Sequence, residues 1–394
     1  MIKLTYYEGR KHFLNVFTVV LILLFSLING IKIYSVYQQS SVLSEQNQSE
    51  FKEAYDLFYE EYSGKLTEEQ WNKLQSIYNP IKEKIDEGTA GTEKDENSYT
   101  YNVYSDELFL RWCFVDEMDY DYHYKDYADK IVKKAVANIK FYEEKGNSCE
   151  VVKNYQIAKS FYKREVGNFY NTEMYQYLFY YDFSSLLIIF LCIYGCSSVF
   201  VKENETGMFS IVKSSIYGKS HTFFAKLIAL VFFIVFVSVL FSAEDYLFFL
   251  MNFKNADAGT QPLYALKGFQ NTQLNLSMNQ AFFYFSAIRL IGNLLLAIFF
   301  FLVSSCFRKI LSIFLINLGF TAFWVVLQDH AAEWTKIWNP ISLISSRTFY
   351  FQMDFVSVMG YPIRCEYVSL VLACLLMILF TWIAYLHWKR GVRE

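Results

Sequence analysis

Between two long apolar runs lie residues 202–226, KENETGMFSIVKSSIYGKSHTFFAK, a stretch too polar for hydrocarbon. Glu203 and Glu205 come first, then Gly207, then Met208, Ile211, Val212 and Ile216 at roughly helical spacing, with Lys213 among them. An acidic start suits a helix N-terminus, and Tyr217-Gly218-Lys219 breaks the helix after its last apolar position. The stretch therefore reads as a short helix on a membrane surface, with Lys226 leading into the next span.

Working outward, the apolar runs on either side, about 177–201 and 222–241, are each long enough to cross a bilayer. Four more runs complete a set of six: about 13–33, 281–306, 310–327 and 367–388. The first is a membrane helix and not a cleaved signal, because its core is long and no small-residue cleavage site follows it. Only Phe307, Arg308 and Lys309 join the fourth run to the fifth, which forces a tight antiparallel pair. Residues 338–365 are half apolar, but Pro340, Arg347, Asp354, Pro362 and Arg364 stop them from spanning. The fold class expected is an all-α integral membrane protein with six transmembrane helices.

Residues 37–176 form the polar insert between the first two spans. They hold 27 Asp and Glu against 17 Lys and Arg, within a chain of net charge -3. So acidic a surface excludes a nucleic-acid partner, which needs clustered positive charge. The insert reads as helical throughout. Phe51, Ala54, Tyr55, Phe58 and Tyr62 form one apolar face before Gly64; Thr67 with Gln70 is a capping-box signature; residues 88–98 are a loop. Further helices carry Ala128 to Ile139 and Tyr155 to Tyr162. The first and last helices of this domain are expected to prolong the adjoining spans.

Lysine and arginine set the orientation. Twelve lie on the side of the termini and of the 202–226 stretch, against five in the short loops of the other side. The positive-inside rule then puts both termini in the cytoplasm of a multi-pass cell-membrane protein, and the acidic domain outside.

At residues 202–226 the chain resembles the ABC-2 type transporter permeases, the membrane subunits of ABC exporters that lack a nucleotide-binding domain of their own. Glu203 or Glu205, Gly207, Ile211, Lys219 and Lys226 fit the family's pattern after its second span. The resemblance implies that 202–218 is the coupling helix, with Glu203, Glu205, Gly207, Met208, Ile211, Lys213, Tyr217 and Lys219 docking on a partner ATPase. It also implies a dimer of six-helix units, ATP and Mg bound in that partner, an N-terminal interfacial helix in residues 1–36, and re-entrant helices in 338–365. In the family the second and fifth spans line the path; here they offer Ser184, Ser185, Ser197, Ser198, Asn317 and Thr321, a mixture suited to an amphipathic, peptide or lipid-like cargo.

No catalytic constellation appears. Gly218-Lys219-Ser220 lacks the earlier glycine of a phosphate-binding loop, since Lys213 stands there. Asp116, Glu117, Asp119, Asp121 and His123 lack the glycine and distal glutamate of a calcium loop and read as a solvated acidic face. No metal site is expected. Cys113 and Cys149, both in the insert, are a possible disulfide. Glu244, Asp245 and Arg289 fall near the outer ends of the third and fourth spans, where Arg289 is expected to pair with one of the two acids. The alternative reading is a membrane sensor or scaffold whose acidic domain binds a ligand or partner; a secondary transporter is a weaker third, since no inverted repeat is visible.

Overall fold

The computed structural model describes residues 1–40, 49–205, 220–254, 256–330 and 335–390. Helix α1 (Ile2–His12) ends in basic residues and turns sharply through Phe13 and Leu14. The Asn15 side chain then caps α2 (Val16–Gln38) by accepting from the Thr18 amide at 3.0 Å. Phe13, almost fully buried, closes the corner by stacking on Phe233.

Among the described residues six helices are long and apolar enough to cross a membrane: Val16–Gln38, Glu173–Glu203, His221–Phe253, Met278–Cys306, Ile310–Gln328 and Cys365–Arg390. The second is 78% buried within the chain and the first, fifth and sixth 22% or less, so the second is the central post. It is built in three pieces, α8 (Glu173–Tyr180), α9 (Phe183–Ser197) and α10 (Val201–Glu205), with breaks at Tyr181-Asp182 and around Val199. Packed against it are α11 (His221–Phe253) and α12 (Met278–Cys306), the latter opened by a complete Ser277/Gln280 capping box. Helices α13 (Ile310–His330) and α16 (Cys365–Arg390) are peripheral.

The polar insert is helical with one small ribbon. Helix α3 (Ser49–Tyr62) ends at Gly64, whose φ of +106° only glycine adopts without strain. Then β1 (Gly64–Lys65) leads to α4 (Glu68–Asp86), capped by Thr67. Helix α5 (Val103–Leu110), a π-helical turn at Arg111–Val115 and α6 (Asp116–Glu144) run on without a break. Tyr55, Phe58, Tyr62, Leu74, Phe109 and Phe114 form the core. The expectation that the last helix prolongs the second span is corrected. Helix α7 (Ser148–Phe161) stops short, and β2 (Asn168–Phe169) intervenes to pair antiparallel with β1, Gly64 opposite Phe169.

The link after α11 folds back against the insert. Arg164, 3% exposed, donates to the Thr272 carbonyl at 2.6 Å and to Asn275 Oδ1 at 2.8 Å, with its guanidinium over the Phe161 and Tyr264 rings. Tyr120 and Tyr124 donate to the Tyr264 and Gln270 carbonyls. Between α13 and α16 lie two short helices, α14 (Thr335–Trp338) and α15 (Pro340–Ile344). A hairpin of β3 (Phe355–Val358) and β4 (Tyr361–Arg364) follows, which the expected re-entrant helices did not include. Its two-residue turn, Met359-Gly360, has positive φ at both positions, the conformation that matches strand twist.

Candidate functional site

Lys226 lies in the second turn of α11, where packing leaves its side chain 0% exposed. A buried ammonium needs three acceptors. It donates to Glu203 Oε1 at 2.8 Å, Glu8 Oε2 at 2.9 Å and the Val199 carbonyl at 2.9 Å. The Val199 carbonyl is available because the second span breaks there between α9 and α10. Three separate stretches thus converge on one cation: α1 through Glu8, the end of the second span through Val199 and Glu203, and the start of α11.

Two further groups complete the cluster. Lys11 Nζ lies 3.1 Å from Glu203 Oε1. His12 Nε2 stands 3.4 Å from Glu8 Oε2 and 3.5 Å from Lys226 Nζ, while its Nδ1 lies 3.3 Å from Ser198 Oγ. Burial opposes ionisation of Glu8, but the His12 hydrogen bond and the Lys226 charge outweigh it and hold the carboxyl at about 2. Burial, aided by the Lys226 charge, holds His12 down at about 4 despite Glu8, so the ring is neutral at physiological pH. Two carboxylates and two ammoniums then balance. Glu8, His12 and Glu203 place three ligand atoms within 4.8 Å of one another. The Lys226 ammonium already stands within 3.5 Å of all three groups and supplies the charge that a metal ion would.

Of the residues assigned to the coupling helix, Glu203 belongs to this cluster and Glu205 is exposed at the end of α10. Gly207, Met208, Ile211, Lys213, Tyr217 and Lys219 lie outside the described residues. The cluster therefore joins Glu203, which precedes residues 206–219 in the chain, to Lys226, which follows them. Sequence reasoning missed Glu8 and His12; the signal was their i, i+4 spacing in an otherwise basic helix.

A second charge network lies at the opposite end of the spans. Asp182, at the break between α8 and α9, is held by Arg347 through both guanidinium nitrogens, at 2.7 and 2.6 Å. Asp245 accepts from Asn29 at 2.9 Å and Ser184 at 2.5 Å, and Arg289 Nη1 stands 3.5 Å away. Glu244 turns elsewhere and accepts from Ser26 at 2.6 Å.

Two expectations for the insert are corrected. Cys113 is buried in the core beside Tyr55 and Phe114, whereas Cys149 opens α7, 3.9 Å from Ser357 Oγ; both are thiols, packed in different units. The acidic face of α6 is also divided. Asp119 and His123 face solvent, but Asp121 is 5% exposed. Burial and the neighbouring Glu117 push its carboxyl well above the usual range.

Neither a curated protein nor a solved structure matches the chain. A family model described as ABC-2 family transporter protein matches residues 13–386, from the end of α1 almost to the end of α16. With six membrane-length helices on the page as well, the chain belongs to the ABC-2 family of transporter proteins, as a membrane-embedded permease component.

Proposed function

We propose that this permease is an exporter subunit that moves an amphipathic, peptide or lipid-like substrate outward. It works as a dimer on separate ATPase subunits that bind ATP and Mg. Both termini are cytoplasmic and the acidic domain is extracytoplasmic, in line with the lysine and arginine count. The observation that carries the reading is the Lys226 cluster. It ties Glu203 and Lys226, the residues before and after 206–219, to each other and to α1, so a push on a helix between them would be delivered to the second and third spans together. A surface helix with no mechanical task has no need of so costly a base, since buried charges must be paired to be tolerated at all.

The test is Ile211→Asp in the assembled transporter. An unpartnered aspartate in a docked apolar face costs on the order of several kcal/mol. The chain should still insert and fold, while copurification of the ATPase subunit and substrate-stimulated ATP hydrolysis fall away. Unchanged copurification and hydrolysis overturn the coupling assignment. Orientation is tested separately: single cysteines in the 88–98 loop should react with an impermeant thiol reagent in intact cells, and one at Lys213 should not.

A further inference from the structure

Beside the Lys226 cluster, α1 and α11 enclose an open apolar groove of about 530 Å³. It stays open because the residues at its base, Gly9 and Ala229, are too small to fill it; a Cβ on Gly9 would meet only the Ala229 methyl, at 3.8 Å. One wall is Phe232 and Phe236, 68% and 52% exposed on the outer face of a membrane-length helix. The rim is polar, with Tyr6 and Arg10 from α1. Arg10 is the only charged side chain among the described residues that line it.

The charges around the rim differ in their occupation. Lys11 and Lys226 are spent on Glu203 and Glu8. Arg10 is exposed and makes no hydrogen bond or ion pair among the described residues. The feature therefore combines an apolar slot opening sideways from a spanning helix, an amphipathic tyrosine and an uncommitted guanidinium at its mouth. Among the described residues no acidic group lines it to meet the ammonium of a zwitterionic headgroup.

We propose that this groove binds one anionic phospholipid per chain, from the leaflet on the side of the termini. An acyl chain lies along Phe232 and Phe236, and the phosphodiester is paired with Arg10. Guanidinium and phosphate form charge-assisted, often bidentate hydrogen bonds, and tyrosine sits readily at headgroup level. The lipid would fill the space between α1 and α11 and thereby brace the helix that holds Glu8.

The test is native mass spectrometry of the purified full chain in mild detergent, titrated with phosphatidylglycerol or phosphatidylcholine of identical acyl chains. Phosphatidylglycerol should bind more tightly. Arg10→Gln should weaken it about fivefold, the attraction one basic residue exerts on anionic lipid, and leave phosphatidylcholine unchanged. Gly9→Leu should weaken both by filling the slot. Equal affinity for the two lipids, or an Arg10→Gln protein that binds phosphatidylglycerol like wild type, overturns the proposal. So does a Gly9→Leu protein that keeps its lipid binding but changes oligomeric state, which would make a second copy the occupant. Arg10 is exposed and has no partner among the described residues, so its variant carries the test even if Gly9→Leu fails to fold.

Discussion

Lys226 and Glu203 meet at 2.8 Å with no solvent at the ammonium and almost none at the carboxylate. They stand on either side of residues 206–219 in the chain, so the pair ties the end of the second span to the start of the third. Glu8 makes the pair a bridge to a third element, and the neutral His12 ring keeps the local charge balanced.

Removing the Lys226 ammonium leaves Glu8 and Glu203 close together out of water, with only the half-exposed Lys11, on Glu203, to offset them. Lys226→Met should cost about 3–5 kcal/mol, the usual penalty for stripping one partner from a buried ion pair. Neutralising the acids as well, with Glu8→Gln and Glu203→Gln, should recover much of the loss. Thermal unfolding in detergent reads both; a Lys226→Met protein that melts like wild type would show the site to be wet.

The cluster also predicts a pH window. His12 falls from 6.5 to about 4 on folding, so the unfolded chain binds the extra proton between those values. Stability is then full above about 6.5 and declines as pH drops toward 4, by at most about 3 kcal/mol. Glu8 acts lower: its contribution is present above 4.5 and is lost as pH falls toward 2. Melting curves from pH 8 to 4 should slope downward for wild type and run flatter for His12→Gln.

At the other end of the spans, Arg289 approaches Asp245 while Glu244 bonds Ser26. Arg289→Ala and Asp245→Ala should therefore couple by about 0.5–3 kcal/mol in a double-mutant cycle. Arg289→Ala with Glu244→Ala should be additive. Asp245→Ala alone should be the most harmful of the three, because it also strands the Asn29 amide.

Helix α15 rests on α12 where Gly292 leaves room. A Cβ there would stand 2.8 Å from Ile344 Cγ1 and 3.0 Å from the Ile344 backbone nitrogen. Gly292→Ala should cost about 1–3 kcal/mol as an overpacked contact, although alanine favours helix. Gly319→Ala, with open space around it, is the control and should be neutral or slightly stabilising.

The six spans were legible because twenty apolar residues in a row have few alternative explanations, and the Thr67 cap was legible from its spacing to Gln70. Glu203 and Lys226 stood out as the polar limits of a surface segment. Glu8 did not, since a lone acid in IKLTYYEGRKH reads as solvated until a lysine 218 positions away is brought to it. Asp182 and Arg347 were hidden for the same reason: their pairing depends on how the spans pack. Asp121 misled because carboxylates normally face water, and only the packing of α6 against the rest of the chain turns this one inward. The hairpin at Met359-Gly360 carried a usable signal in its glycine, outweighed by the apolar character of the residues around it.

Arg164 has a consequence for how the insert breathes. Its guanidinium is sealed under the link after α11, bonded to the Thr272 carbonyl and stacked between two rings. Peeling that link away would break the hydrogen bonds to Thr272 and Asn275 and the Tyr264 ring contact all at once, so the link has no low-energy route to local opening. Backbone amides such as those of Leu263, Leu266 and Phe269 should exchange with deuterium only as slowly as the whole insert unfolds, although they belong to short irregular turns on a connecting segment.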